Sequence, residues 1–167
     1  MPHAADDAFW FYLPALVGNV GIYLTTSLVG GGFPLDLYGK IGGKRLLGRS
    51  RTLLGTVGFL VFPVLTGVLQ HRAAEGLYLG MGAQFGCLVN SLLKRALGLR
   101  PGQSFFPVDQ TDYILGASLF YVSAHPLDRG TFLWGLLTGF VLHLLVNLFR
   151  KPFEIFLRGK TKITSDG

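Results

Sequence analysis

Four apolar stretches constrain this chain more than anything else in it, because each approaches the roughly 20 residues that a helix needs to cross a hydrocarbon core. They run from about Phe9 to Val29, from Leu53 to Leu69, from Gly76 to Leu93 and from Thr131 to Phe149. A fifth stretch, Tyr113 to Ala124, is apolar but too short to cross alone. It reads as a span if extended back through Asp109 and forward to Leu127, or else as a re-entrant half-helix. Only 14% of the residues are charged and half are hydrophobic, against about 25% charged in an average soluble domain. Such a deficit suits a chain dissolved in lipid, where a charge at mid-bilayer costs roughly 2.5 kcal/mol or more.

The basic residues decide between four and five spans. Lys40, Lys44, Arg45, Arg49 and Arg51 lie in the first loop, Lys94, Arg95 and Arg100 after the third stretch, and Arg150, Lys151, Arg158, Lys160 and Lys162 in the tail. With five spans, only Arg72 and Arg129 of the 15 basic residues fall on the opposite face. The positive-inside rule makes the crowded face cytoplasmic, with the N-terminus outside and the C-terminus inside. A four-span arrangement splits the bias. The expected fold is therefore an all-α integral membrane protein in one domain, a bundle of about five transmembrane helices over 9–29, 53–70, 76–93, 109–127 and 131–149. Its cytoplasmic loops are 30–52 and 94–108, with a tail at 150–167. The 24 glycines suit close helix packing in lipid. Pro14 and Pro63 lie within spans, where neighbouring helices can take up the freed carbonyls.

Asp6 and Asp7 precede the first stretch without a basic n-region, so it reads as a retained helix rather than a cleaved signal. The lone Cys87 excludes an intrachain disulfide and reads as a small packing residue. A net charge of +6 in a soluble protein would suggest nucleic acid. Confined to short loops between apolar runs, it points to orientation and anionic ligands instead.

Two features stand out on the inner face. The loop over positions 39 to 52 mixes glycines with Lys40, Lys44, Arg45, Arg49 and Arg51. Exposed backbone N–H groups and cations suit polyphosphate, and they suit a headgroup-binding anchor equally well. It is not a P-loop, since Gly-Lys-Ser/Thr is absent. The second feature is Asp109 and Asp112, three apart and so on one helix face, where the fourth apolar stretch begins. Acids are scarce on this side, yet these two follow closely on Lys94 and Arg95. A carboxylate pair suits Mg²⁺, which completes its shell with water and substrate phosphates; the plainer alternative is capping of the helix start. Carboxylates, cations and a membrane setting together suggest phosphoryl or nucleotidyl transfer onto a lipid, chemistry that needs positioning and charge neutralisation more than a covalent nucleophile. No Ser-His-Asp signature or His/Cys zinc cluster is present. His143, inside the last stretch, reads as a hydrogen-bonded interior histidine.

The segments Leu-Pro-Ala-Leu-Val-Gly-Asn (13–19), Gly-Gly-Gly-Phe-Pro-Leu-Asp (30–36) and Gly-Lys-Arg-Leu-Leu-Gly (43–48) resemble the CDP-archaeol synthases. So do Asn-Ser-Leu-Leu-Lys-Arg-Ala-Leu-Gly-Leu-Arg-Pro-Gly (90–102) and Pro-Val-Asp-Gln-Thr-Asp-Tyr (107–113). These are archaeal membrane cytidylyltransferases related to the CDP-diacylglycerol synthases. The resemblance covers about residues 10 to 120, and the last helix agrees only in character. It implies a five-helix enzyme of the cell membrane that uses CTP and Mg²⁺ to transfer CMP to digeranylgeranylglyceryl phosphate, a prenylated glycerol phosphate lipid, with release of pyrophosphate. Carried over by position, Asp109 and Asp112 would hold the metal, with Lys94 beside them. Lys44, Arg45, Arg51, Thr52, Ser91, Arg95, Asn19 and Asn90 would line the nucleotide and phosphate site.

The chain departs from the family pattern at two places. The first loop usually reads Gly-Asp-Gly-Lys-Thr-Trp-Arg-Gly, whereas positions 48 to 55 read Gly-Arg-Ser-Arg-Thr-Leu-Leu-Gly. In the third helix the usual acid and lysine are Cys87 and Asn90. The resemblance then implies that Asp109 and Asp112 carry more of the metal binding. Two other classes fit the residues alone: a multi-spanning glycerol-phosphate acyltransferase, which needs no paired acids, and a small non-enzymatic transporter or scaffold, whose basic loops only set topology.

Overall fold

The structure, a computed structural model, describes residues 4–29, 32–37, 39–41, 44–45, 47, 51–100 and 103–163. Five helices carry the fold: α1 (Ala4–Val29), α2 (Leu53–Leu69), α3 (Ala73–Ala96), α4 (Val108–Val122) and α5 (Arg129–Ile163). Within the first loop, β1 (Lys40–Ile41) and β2 (Lys44–Arg45) pair antiparallel.

Local chemistry explains the helix ends. Thr52 caps α2, its hydroxyl oxygen accepting the Gly55 N–H at 3.0 Å. Gly98, at φ +74°, ends α3 in the left-handed conformation that lacks a Cβ penalty, while the Leu99 N–H returns to the Lys94 carbonyl. Pro14 removes the N–H that would have met the Trp10 carbonyl. Gln70 and Arg72 supply donors to that carbonyl from the α2–α3 turn, at 2.8 and 2.9 Å.

Glycines set the helix spacing. A Cβ on Gly86 of α3 would overlap the Asp112 carbonyl, and one on Gly116 of α4 would overlap the Gly82 carbonyl, so α3 and α4 meet backbone to backbone. Gly21 of α1 and Gly58 of α2 meet in the same way. Between them lies a core of Tyr12, Phe59, Leu79, Ala83, Tyr113, Ile114 and Ala117. Single polar contacts stitch it: Tyr12 with Ser118, Gln84 with Thr56, and the Tyr113 hydroxyl to the Gly139 carbonyl.

Helix lengths depart from the expected spans. Among the described residues one segment, Arg129–Val146 with mean hydropathy 1.4, is long and apolar enough by itself to cross a membrane, and α2 is apolar over a shorter 17 residues. The fourth helix stops at Val122 rather than Leu127, and its 15 residues reach only about 22 Å at 1.5 Å per residue. Ser123 bonds back to the Phe120 carbonyl, and Pro126 cannot continue the helix. The first and third helices begin earlier than expected, at Ala4 and Ala73, and the fifth continues through Ile163 into the expected tail.

Candidate active site

One end of the bundle gathers the α1–α2 loop, the end of α3 and the start of α4. The backbone of the loop is pinned there: the Leu35 N–H donates to the Arg51 carbonyl and the Leu53 N–H to the Phe33 carbonyl, both at 2.8 Å. This holds Arg51 beside α3, where its Nε donates to Ser91 Oγ at 3.2 Å. Arg51 also lies within electrostatic reach of Cys87 and Asp112.

The two acids share a helix face, as their spacing requires, and that face meets α3. The Asn90 amide nitrogen donates to Asp109 Oδ1 and to Asp112 Oδ2, each at 2.7 Å. The Lys94 ammonium lies 2.6 Å from Asp109 Oδ1 and 2.7 Å from Oδ2. The Phe105 N–H also donates to Asp109 Oδ2 at 2.9 Å. Asp112 is deeper, 9% exposed, and takes its own helix's Tyr113 N–H and the more distant Cys87 thiol, at 2.7 and 3.9 Å. Two carboxylates, an amide, an ammonium and a guanidinium thus converge at one helix end. Asp109 ties down the segment before α4 through Phe105, but the Pro107 N-cap takes no side-chain hydrogen bond and Asp112 is buried too far along to act as a cap.

The donor set fits a hard cation. Asp109 and Asp112 present carboxylate oxygens, and Asn90 Oδ1 is buried without a hydrogen-bond partner, a costly condition for an amide oxygen. The Lys94 ammonium already shows that positive charge is favoured at this spot. Among the described residues no group of three or more His, Cys, Asp or Glu gathers. A metal here would therefore draw its remaining ligands from the amide, water and substrate phosphate, the habit of Mg²⁺.

An apolar groove of about 230 Å³ runs down the outside of the α3–α4 pair to this cluster, with Phe85, Val89, Leu115 and Leu119 on its walls and Asn90 and Asp112 at its floor. The walls are exposed on the flank of the bundle, so the groove opens sideways.

The structure thus assembles Asp109, Asp112, Asn90, Lys94, Ser91 and Arg51 in one place. It engages other expected residues elsewhere. The Thr52 hydroxyl oxygen is the α2 cap, Arg95 donates to the Leu99 carbonyl at 2.7 Å, and Asn19 stands exposed on α1. Lys44 and Arg45 lie on β2, but their side chains are outside the described residues, as is Arg49 altogether. Cys87, read as a packing residue, is buried in the core, with its thiol 3.9 Å from Asp112 Oδ1. His143, read as hydrogen-bonded, has no hydrogen bond among the described residues and lies within electrostatic reach of Asp109 and Lys94. Only its helical register with other bundle-facing positions of α5 carried a sequence signal of that placement.

A family model described as CarS-like, CDP-archaeol synthase, matches residues 6–75 and 69–155. A CDP-archaeol synthase of Methanopyrus kandleri is 36% identical over 151 residues, covering 83% of this chain and 84% of that one. One from Pyrococcus furiosus is 31% identical over 159 residues, covering 87% and 92%. A solved structure, described as an intramembrane enzyme for archaeal membrane lipids biosynthesis, superposes with a TM-score of 0.70 at 26% identity, covering 84% of this chain and 92% of that one. The fold is that of an intramembrane enzyme, and the chain belongs to the CDP-archaeol synthase family.

Proposed function

We propose that this chain transfers CMP from CTP to a prenylated glycerol phosphate, digeranylgeranylglyceryl phosphate, giving CDP-archaeol and pyrophosphate. The carrying observation is the Asp109–Asn90–Asp112 cluster, flanked by Lys94 and Arg51, two of whose members, Asn90 and Asp112, line the floor of a sideways-opening apolar groove. Cations and carboxylates suit a metal-bound triphosphate, and an apolar groove suits a prenyl chain whose phosphate must reach the same floor. The CDP-archaeol synthases of the family members compared above support the same reading.

In this reading Asp109, Asp112 and the Asn90 oxygen would hold Mg²⁺, which would offset negative charge on the triphosphate. Arg51 and Lys94 bring positive charge to the phosphates, Arg51 held in place by Ser91 and Lys94 by its pairing with Asp109. An oxygen of the lipid phosphate attacks the α-phosphorus, the bond from that phosphorus to the bridging oxygen breaks, and pyrophosphate leaves. The basic end of the bundle faces the cytoplasm, where CTP is found, with the N-terminus outside and all five helices embedded in the cell membrane. The decisive experiment incubates the purified protein in lipid with labelled CTP, Mg²⁺ and the prenylated glycerol phosphate. A labelled CDP-lipid, lost on chelation with EDTA, is expected; no labelled lipid with all three present would refute the reading.

A further inference from the structure

Residues singled out by resemblance all lie before α5, yet α5 places one polar side chain beside the acids. Gly135, Gly139 and His143 follow one another at four-residue steps and so share a face. A Cβ on Gly135 would overlap the Tyr12 ring, and one on Gly139 would press on Ile114 and the Tyr113 hydroxyl. This face of α5 therefore lies directly against α1 and α4. His143 is the next position along it. Its half-buried ring sits 6.2 Å from the Tyr113 ring, and Tyr113 is itself fixed to the Gly139 carbonyl at 2.8 Å. Three residues before it, Phe140 packs on Phe106, 5.9 Å between ring centres, in the segment leading to Asp109.

The imidazole lies within electrostatic reach of Asp109 and Lys94, and Asp109 stands four residues before Tyr113 on the same helix face. Among the described residues it makes no hydrogen bond. A neutral imidazole has one N–H to donate. Asp109 already accepts several: Oδ1 takes Asn90 and Lys94, and Oδ2 takes Lys94 and Phe105. A side chain needed only for packing on Tyr113 would do better as phenylalanine, which carries no polar atoms to desolvate. A donor held rigidly next to a cluster suited to phosphates, with the local carboxylate already engaged, is placed for an acceptor that arrives with the substrate.

We propose that His143 is a phosphate-binding residue contributed by α5, donating an N–H to a phosphate of one of the two substrates and closing the site opposite α3. It rests on the cytidylyl-transfer reading for the identity of those substrates. The acceptor is either the nucleotide's phosphate or the lipid's, and binding measurements on the full chain in nanodiscs separate them. CTP with Mg²⁺ and a dialkylglycerol phosphate are titrated separately against wild type, His143→Phe and His143→Gln. His143→Phe keeps a ring on Tyr113 without a donor, while His143→Gln keeps an N–H. The expected result is about tenfold weaker binding of one ligand by His143→Phe, the size of one lost hydrogen bond to a charged group, with His143→Gln within about threefold of wild type. A loss confined to CTP assigns the nucleotide phosphate, and a loss confined to the dialkylglycerol phosphate assigns the lipid's. Wild-type affinity of His143→Phe for both ligands would overturn the proposal. So would equal weakening in both variants, which would mark His143 as packing. Turnover is scored separately: wild type that binds both ligands but forms no CDP-lipid refutes the transferase reading, whatever the His143 variants do.

Discussion

The two ends of the bundle each hold arginine and carboxylate among helix termini, and they use them in opposite ways. At the α2–α3 turn, Arg72 is spent on the protein: Nε to Gln70, one terminal nitrogen to Glu75 at 3.2 Å, the other to the Trp10 and Phe11 carbonyls at 2.9 Å. Its guanidinium also lies 5.3 Å from the centre of the Phe11 ring. At the other end, Arg51 makes one hydrogen bond to Ser91, Asn90 Oδ1 is buried without a partner, and two carboxylates crowd together. The first arrangement repairs the break that Pro14 makes in α1. The second leaves charge and polar atoms poorly matched within the protein, which is costly unless a ligand completes them. Similar residue types are thus fully matched within the chain at one end and left partly unmatched at the other, and what distinguishes the two ends is whether each donor and acceptor finds a partner among the described residues.

That contrast can be broken from either side. The largest effect is expected for Asp112→Asn, a change of one atom that removes a charge from the unmatched end. The rate of CDP-lipid formation should fall by about a hundredfold or more, in line with removal of one group from a charge-stabilising site, while the far-UV circular dichroism and elution volume stay unchanged. Near-wild-type turnover would place the binding centre elsewhere. Next in size is Arg72→Met, at the matched end. The protein should lose about 2 kcal/mol of stability in thermal or denaturant unfolding, since several carbonyl and side-chain acceptors lose their donor at once. Its affinity for both substrates should stay within about twofold, and a changed substrate affinity with unchanged unfolding would reverse the assignment of the two ends. Smallest is Arg51→Ala, expected to weaken CTP about tenfold by calorimetry with little effect on the lipid. Equal affinity for CTP would give the first loop a role in orientation alone.

Much of the site was legible because helix periodicity is rigid. Asp109 and Asp112 share a face at a spacing of three, and Asn90 and Lys94 share one at four, so each pair could be read before the helices were docked. The resemblance brought Ser91 and Arg51 to the same place. It did not distinguish Thr52 and Arg95, whose polar groups are taken up by helix ends, because capping and ligand binding draw on the same residue types. Cys87 packs in the core as its small side chain in an apolar run suggested, but its place beside the Asp112 carboxylate was not legible until the helices were docked. The end of α4 was not legible from hydropathy, since that helix is ended by Ser123 and Pro126 chemistry rather than by a loss of apolar character.

The sequence by itself determined that this chain is helical, poor in charge and basic at one end, because apolar run length and the placement of lysine and arginine are properties of the chain read in order. It also set which residues share a helix face. Only the tertiary structure decided which faces meet. Backbone contact at Gly86 and Gly116 draws α3 and α4 close enough for Asn90 to reach both acids, and Gly135 and Gly139 bring α5 in until His143 lies against the Tyr113 ring. Such contacts join residues from 19 to 123 positions apart, and no local periodicity can specify a distance between helices that depends on how each side chain, or its absence, fills the gap.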